Sequence, residues 1–157
     1  MNQAGLALLK HYEGFRGNAY LDIAGVPTLG YGFTMGVRLG DRITPDEAED
    51  RLQEELVNYE RSIPPGNENQ RAAMTCLAYN IGAGAFIGST VARKHIAGQH
   101  QEAADAFRMW CKARIDGELV TVPGLVRRRE SERALYLTPI PAAVPESFWN
   151  RFRSLFQ

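Results

Sequence analysis

The 157-residue sequence predicts an α+β fold, mostly helical, with a small β-hairpin lobe ahead of a larger helical lobe. Three observations carry this. Seven of the fifteen glycines crowd between Gly14 and Gly40, a density that marks tight turns and close backbone approaches. Within that stretch the apolar residues Tyr20, Ile23, Val26, Leu29, Tyr31 and Phe33 suit short twisted strands, whereas the chain after Thr44 repeats at helical spacing. Ile63-Pro64-Pro65-Gly66 then interrupts the helices and is the best lobe boundary. One domain is expected over 1–157, with the first helix, β lobe and a connecting helix in 1–62 and a helical lobe in 67–157.

Each element has its own signal. Leu6 and Leu9, with Ala4 and Leu8, place a helix over 3–13 that ends at Glu13. The glycine-rich β segment follows, to about Asp41. Thr44-Pro45-Asp46-Glu47 opens a second helix with a capping threonine, a first-turn proline and a capping-box glutamate. From 45 to 62, Ala48, Leu52, Leu56 and Tyr59 form one apolar stripe on a helix about 27 Å long, enough to bridge two lobes. Residues 67–81 carry Ala73, Met74, Leu77, Ala78 and Ile81 as core. Gly82, Gly84 and Gly88 break the chain around Phe86, and a helix over 89–97 ends at Gly98. A helix over 101–113 buries Ala104, Phe107, Trp110 and Cys111, and 114–120 turns at Asp116-Gly117 as a loop or small hairpin. Pro123-Gly124 leads into a helix over 125–137. Pro139, Pro141 and Pro145 stiffen a linker to an amphipathic stretch with Phe148, Phe152 and Leu155 on one side. Docking on the helical lobe is the favoured reading of that stretch; contact with a membrane interface is the other.

Composition excludes several classes. Eighteen basic and eighteen acidic side chains cancel, which argues against a nucleic-acid binder. Two cysteines, Cys76 and Cys111, make no disulfide framework and are expected as buried free thiols. No apolar run approaches the ~20 residues of a membrane span, and the first residues lack the basic start and cleavage site of a signal peptide. His11, His95 and His100 stand outside any HExxH or CxxC pattern, so neither a metal nor a cofactor is expected. Ser89 lacks a GxSxG elbow.

The chemistry concentrates in the stretch from His11 to Phe33. Eight residues separate Glu13 from Asp22, and five separate Asp22 from Thr28. One carboxyl closes a helix and the other sits on a hairpin, an arrangement that lets two acids do different jobs. Glycosidic hydrolysis needs one carboxylic acid to protonate the leaving oxygen and a second to activate water or attack the sugar. Tyr12 and Phe15 offer apolar cover to Glu13, Asp22 stays solvated, and the Thr28 hydroxyl can hold a water by donating and accepting at once. On spacing alone, a solvated helix end and an acidic turn account for the same residues and are the commoner arrangement.

Resemblance shifts that balance. Glu13, Asp22 and Thr28, with Gly30-Tyr31-Gly32 just after, resemble the catalytic signature of phage-type lysozymes, glycoside hydrolase family 24. The likeness continues in LAYNIGAGAF at 77–86, in Ser89-Thr90, in AADAFRMW at 103–110 and in GLVRRRESERALYL at 124–137. It implies a lysozyme-like two-lobe fold and an endolysin-like muramidase that cuts the β-1,4 bond between N-acetylmuramic acid and N-acetylglucosamine. It also implies Glu13 as general acid, Asp22 as the residue that works with the water, and Thr28 as its positioner. The family is regarded as inverting, so the carboxylates are expected roughly 6.5–9.5 Å apart. Many members have histidine after GYG where this chain has Phe33.

Around those three, Tyr31, Phe33, Asn80 and Arg128 are the candidate substrate-binding residues. Arg128 and Glu132 are four apart and Arg129 and Glu132 three apart, so ion pairs along the helix are the plainer reading of the arginines. The alternative is an arginine facing the cleft, to bind peptide-stem carboxylates or steady an acid. The expected partner is bacterial peptidoglycan, met by a monomer that waits in the host cytoplasm until a holin opens the membrane. Two rivals stand beside this: a lytic transglycosylase, which needs no water-handling pair, and a wall-binding module without activity.

Overall fold

A computed structural model describes residues 1–22 and 24–140. The amphipathic stretch at 145–156, whose docking or membrane contact the sequence leaves open, lies outside the described residues.

The chain opens with helix α1, Gln3–Glu13, started by Asn2, whose side chain accepts from the Gly5 N–H. Strands β1, Arg16–Leu21, and β2, Pro27–Gly30, form an antiparallel hairpin. The 41–43 segment lies along β1, through the Ala19 N–H to Asp41 and the Ile43 N–H to Gly17. Gly30 matters here: its φ is +64°, and a Cβ on it would lie 2.5 Å from the Phe33 ring, so only glycine lets that ring fold back. Helix α2, Pro45–Glu60, starts with the expected Thr44–Glu47 capping box and buries Ala48, Leu52 and Leu56.

The helical lobe contains α3, Glu68–Ile81; α4, Ala83–Ile87; α5, Thr90–Ile96; α6, His100–Ala106; and α7, Pro123–Leu137. Between α6 and α7 the sequence predicts one helix to residue 113, but the chain leaves α-helix at Ala106. A 3₁₀ turn, Phe107–Trp110, follows, and then the hairpin β3, Lys112–Ile115, and β4, Glu118–Thr121. Cys111 therefore sits half-buried past a helix end instead of within a helical core, while Cys76 is buried as expected. Asp116 and Gly117, at φ 50° and 87°, make the hairpin turn.

Two buried clusters share α3. One joins Leu6 and Leu9 of α1, Phe33, and Leu52 and Leu56 of α2 to Cys76. The other packs Met74 and Leu77 against Phe86, Val91, Phe107 and Tyr136. With 72–78 buried continuously, α3 is a spine covered all round rather than an amphipathic surface helix. Its neighbours α1 and α7 both pack on it and on each other, which brings the end of α1 against α7. Among the described residues no helix is long and apolar enough to cross a membrane.

Candidate active site

A hollow of about 730 Å³ opens where α1 ends, the loop after β2 turns, and α2 and α3 run past. Glu13 stands in its wall with Thr34, Met35, Glu55, Asn58, Tyr59, Tyr79 and Asn80, and Tyr31 and Phe33 contribute to the lining. Tyr59 and Tyr79 lie with ring centroids 5.1 Å apart, and the Tyr79 hydroxyl donates to the Tyr31 carbonyl at 3.3 Å. Aromatic faces beside amide and carboxylate side chains suit a sugar, whose rings present apolar faces and hydroxyl edges.

The four candidate binding residues part company here. Asn80 is exposed in the hollow. Tyr31 and Phe33 are 4% and 1% exposed, so they shape the lining from the core and offer substrate little surface. Phe33 is covered by the Arg51 guanidinium, 4.5 Å from its ring centroid, and Arg51 Nη2 donates to the Met35 carbonyl at 2.8 Å. Arg51 thus ties the lip of the hollow to α2. Arg128 does not line the hollow; it stands buried behind Glu13.

Glu13 is held by a long-range contact. Arg128 Nη2, from α7, donates to Glu13 Oε1 at 2.7 Å, and the Glu13 side chain keeps 20% of its surface exposed. The apolar cover expected from Tyr12 and Phe15 is differently used. Phe15 is exposed and tilts against Tyr31, while Tyr12 lies over the Arg128 guanidinium, 5.7 Å from its ring centroid. Arg128 also donates from Nε to Glu132 Oε1 at 3.1 Å, and Arg129 Nη2 reaches the same oxygen at 2.7 Å. Both ion pairs expected from the helical spacing therefore form, and both are buried. Burial pushes the Glu132 carboxyl up to about 7, against the pull of the two guanidinium groups.

Asp22 and Thr28 belong to the hairpin and lie outside the lining of the hollow. Asp22 Oδ1 accepts from the Ala24 and Val26 N–H groups at 2.8 and 2.9 Å, closing the turn that its own N–H makes to the Val26 carbonyl. Oδ2 makes no hydrogen bond among the described residues. Thr28, 4% exposed, donates from Oγ1 to the Val26 carbonyl at 3.0 Å. The sequence reading gave this hydroxyl both capacities; the donor is already committed, which leaves it an acceptor. Sequence reasoning missed Glu55, Asn58 and Tyr79 in the hollow, and it read Glu132, behind the hollow, only as an ion-pair partner along its helix. The RRRESE run carried the spacing signal for Glu132 but nothing to mark it as buried.

Comparison with known proteins agrees with this architecture. A family model described as phage lysozyme matches residues 10–132. The endolysin of Acyrthosiphon pisum secondary endosymbiont phage 1 is 39% identical over 142 residues, covering 87% of this chain and 97% of that protein. The muramidase domain of SpmX from Asticaccaulis excentricus superposes with a TM-score of 0.83 at 35% identity, covering 88% of this chain and 97% of the other. A mutant lysozyme of phage P22 gives 0.77 at 40% identity, over 88% and 98% of the two chains.

Proposed function

The chain belongs to the phage lysozyme family, and on that premise we propose how its residues divide the work of a peptidoglycan-hydrolysing muramidase. Glu13 protonates the glycosidic oxygen as the bond between N-acetylmuramic acid and N-acetylglucosamine breaks. The observation that carries this is the place of Glu13: a carboxyl in the wall of a sugar-sized hollow, tied to the fold through Oε1.

Asp22 and Thr28 handle the water. With Oδ1 accepting from two backbone N–H groups and the Thr28 hydroxyl donating to Val26, Oδ2 and the threonine lone pairs are acceptors without a partner among the described residues. A water that gives a hydrogen to each turns its own lone pair outward, toward the anomeric carbon. As the C1–O bond to the leaving sugar breaks, Asp22 takes the water's proton, the new C1–O bond forms, and Glu13 gives its proton to the departing hydroxyl. Tyr59, Tyr79, Asn58 and Asn80 flank the sugars. The wall itself supplies the substrate, and the enzyme works as a monomer. Held in the host cytoplasm, it reaches that wall once a holin opens the membrane.

Digestion of purified peptidoglycan in oxygen-18 water, read by mass spectrometry, tests the reaction. One heavy oxygen at each new reducing N-acetylmuramic acid is the expected result. Anhydro ends without the label would replace this reading with a lytic transglycosylase, and binding without any product would leave a wall-binding module.

A further inference from the structure

Helix α7 turns charge inward where a surface helix ordinarily buries an apolar stripe: Arg128, Arg129 and Glu132 are 5%, 0% and 0% exposed. Two nitrogens of the Arg128 guanidinium are held by carboxylates on different helices, Nε by Glu132 and Nη2 by Glu13. A planar fork anchored at Nε has little freedom to swing Nη2 elsewhere. Arg129 grips Glu132 Oε1 from a second direction, so the oxygen that meets Arg128 is itself fixed. Tyr12 covers one face of the fork, and its hydroxyl is hydrogen-bonded to Ser131 at 2.8 Å.

Stability does not account for this cluster. Among the described residues Arg129 Nε and Nη1 and Glu132 Oε2 are buried without hydrogen-bond partners, each at a desolvation cost. Buried ion pairs are often no more stabilising than apolar side chains of similar volume. The buried charge sits where α7 meets the end of α1.

We propose that the buried Arg129–Glu132 pair is a positioning device for the acid: it fixes the Arg128 guanidinium, which fixes the Glu13 carboxyl in the wall of the hollow. Neither residue touches substrate. Both act through Arg128. The inference rests on Glu13 being the general acid.

The test replaces the pair as a unit, Arg129→Met with Glu132→Met, so that no lone buried charge is left behind. The variant is expected to melt at or above the wild-type temperature. Its kcat on purified peptidoglycan should fall about tenfold while KM stays within about twofold, the pattern of a misplaced acid. A folded variant with wild-type kcat, or with KM alone changed, overturns the proposal. If the variant fails to fold, nitrogen-15 arginine NMR of the wild type decides. A slowly exchanging Arg128 Nε–H with distinct Nη protons is the expected signature; a solvent-averaged guanidinium overturns it. Glu13→Gln run alongside keeps the two ideas apart. Its full activity would remove the assignment of the acid, whereas an inactive Glu13→Gln beside a fully active pair variant would remove only the positioning device.

Discussion

The β1–β2 hairpin and the α1–α7 junction each hold one carboxylate, and they hold it by opposite means. Asp22 is fixed by backbone N–H groups two and four residues away, in a turn that one short segment builds alone. Glu13 is fixed by a guanidinium 115 residues away, itself anchored by a buried carboxylate. The hairpin leaves Asp22 half-exposed, with Oδ2 making no hydrogen bond among the described residues, which suits the proposed base. The junction ties its acid to the packing of the helical lobe. Local hydrogen bonds are enough to hold Asp22, whereas holding Glu13 in the wall of the hollow takes the tertiary fold.

That contrast can be broken at either end. Asp22→Asn keeps an amide oxygen for both N–H groups, so the hairpin should survive with its melting temperature unchanged. Hydrolysis should fall about 10²–10⁴-fold, because the amide takes no proton from water; an unchanged kcat would return Asp22 to a structural role. Glu132→Ala attacks the other end. Leaving two buried arginines without their shared partner should cost about 3–5 kcal/mol in denaturant unfolding, and a loss near zero would mean that the cluster is not buried in solution.

The Glu132 carboxyl gives the junction a pH dependence. Glu132 ordinarily titrates at 4.5 and is pushed up to about 7 in the fold. Between about pH 4.5 and 7 the folded state therefore holds a proton that the unfolded chain has released, and above 7 the carboxylate pairs fully with both arginines. Stability from this group is full below about pH 4.5 and is lost as pH rises through 7. The charges facing it are Arg128 and Arg129 on its own helix, with Glu13 on α1 and the Cys76 thiol on α3 near by. Stability of the wild type relative to the paired methionine variant should drop by a few kcal/mol between those limits; a flat difference would show Glu132 ionised throughout. The smallest effect belongs to Thr28. Thr28→Val loses the bond to the Val26 carbonyl, worth about 1 kcal/mol, and should slow turnover, whereas Thr28→Ser should keep most of both. Equal kcat for valine and serine would remove the hydroxyl from the water site.

What the sequence revealed follows the same divide. Helices α1, α2 and α3, the capping box at Thr44 and the turn at Asp116-Gly117 are local, and periodicity and turn chemistry place them within a few residues. The trio proposed to act, Glu13, Asp22 and Thr28, stood out because its members sit close together in a glycine-rich run with a family resemblance. The end of α6 was not: Phe107 and Trp110 keep helical spacing, and the change to 3₁₀ and then strand reflects packing of the turn on α7. Nor could spacing show that α7 buries its arginines, since Arg128 and Glu132 four apart describe an exposed helix face equally well. Phe33 misled in the other direction. Its place after GYG suggested a binding face, but Gly30 makes room for the ring to fold inward under Arg51.

The division of labour between the two carboxyls stands or falls on Glu13. Purified peptidoglycan digested by the wild type and by folded Glu13→Gln, with new reducing N-acetylmuramic acid ends counted by mass spectrometry, tests it most directly. The account predicts abundant ends from the wild type and at least about a hundredfold fewer from the variant, at unchanged binding to the wall. Comparable yields from the two proteins would contradict it.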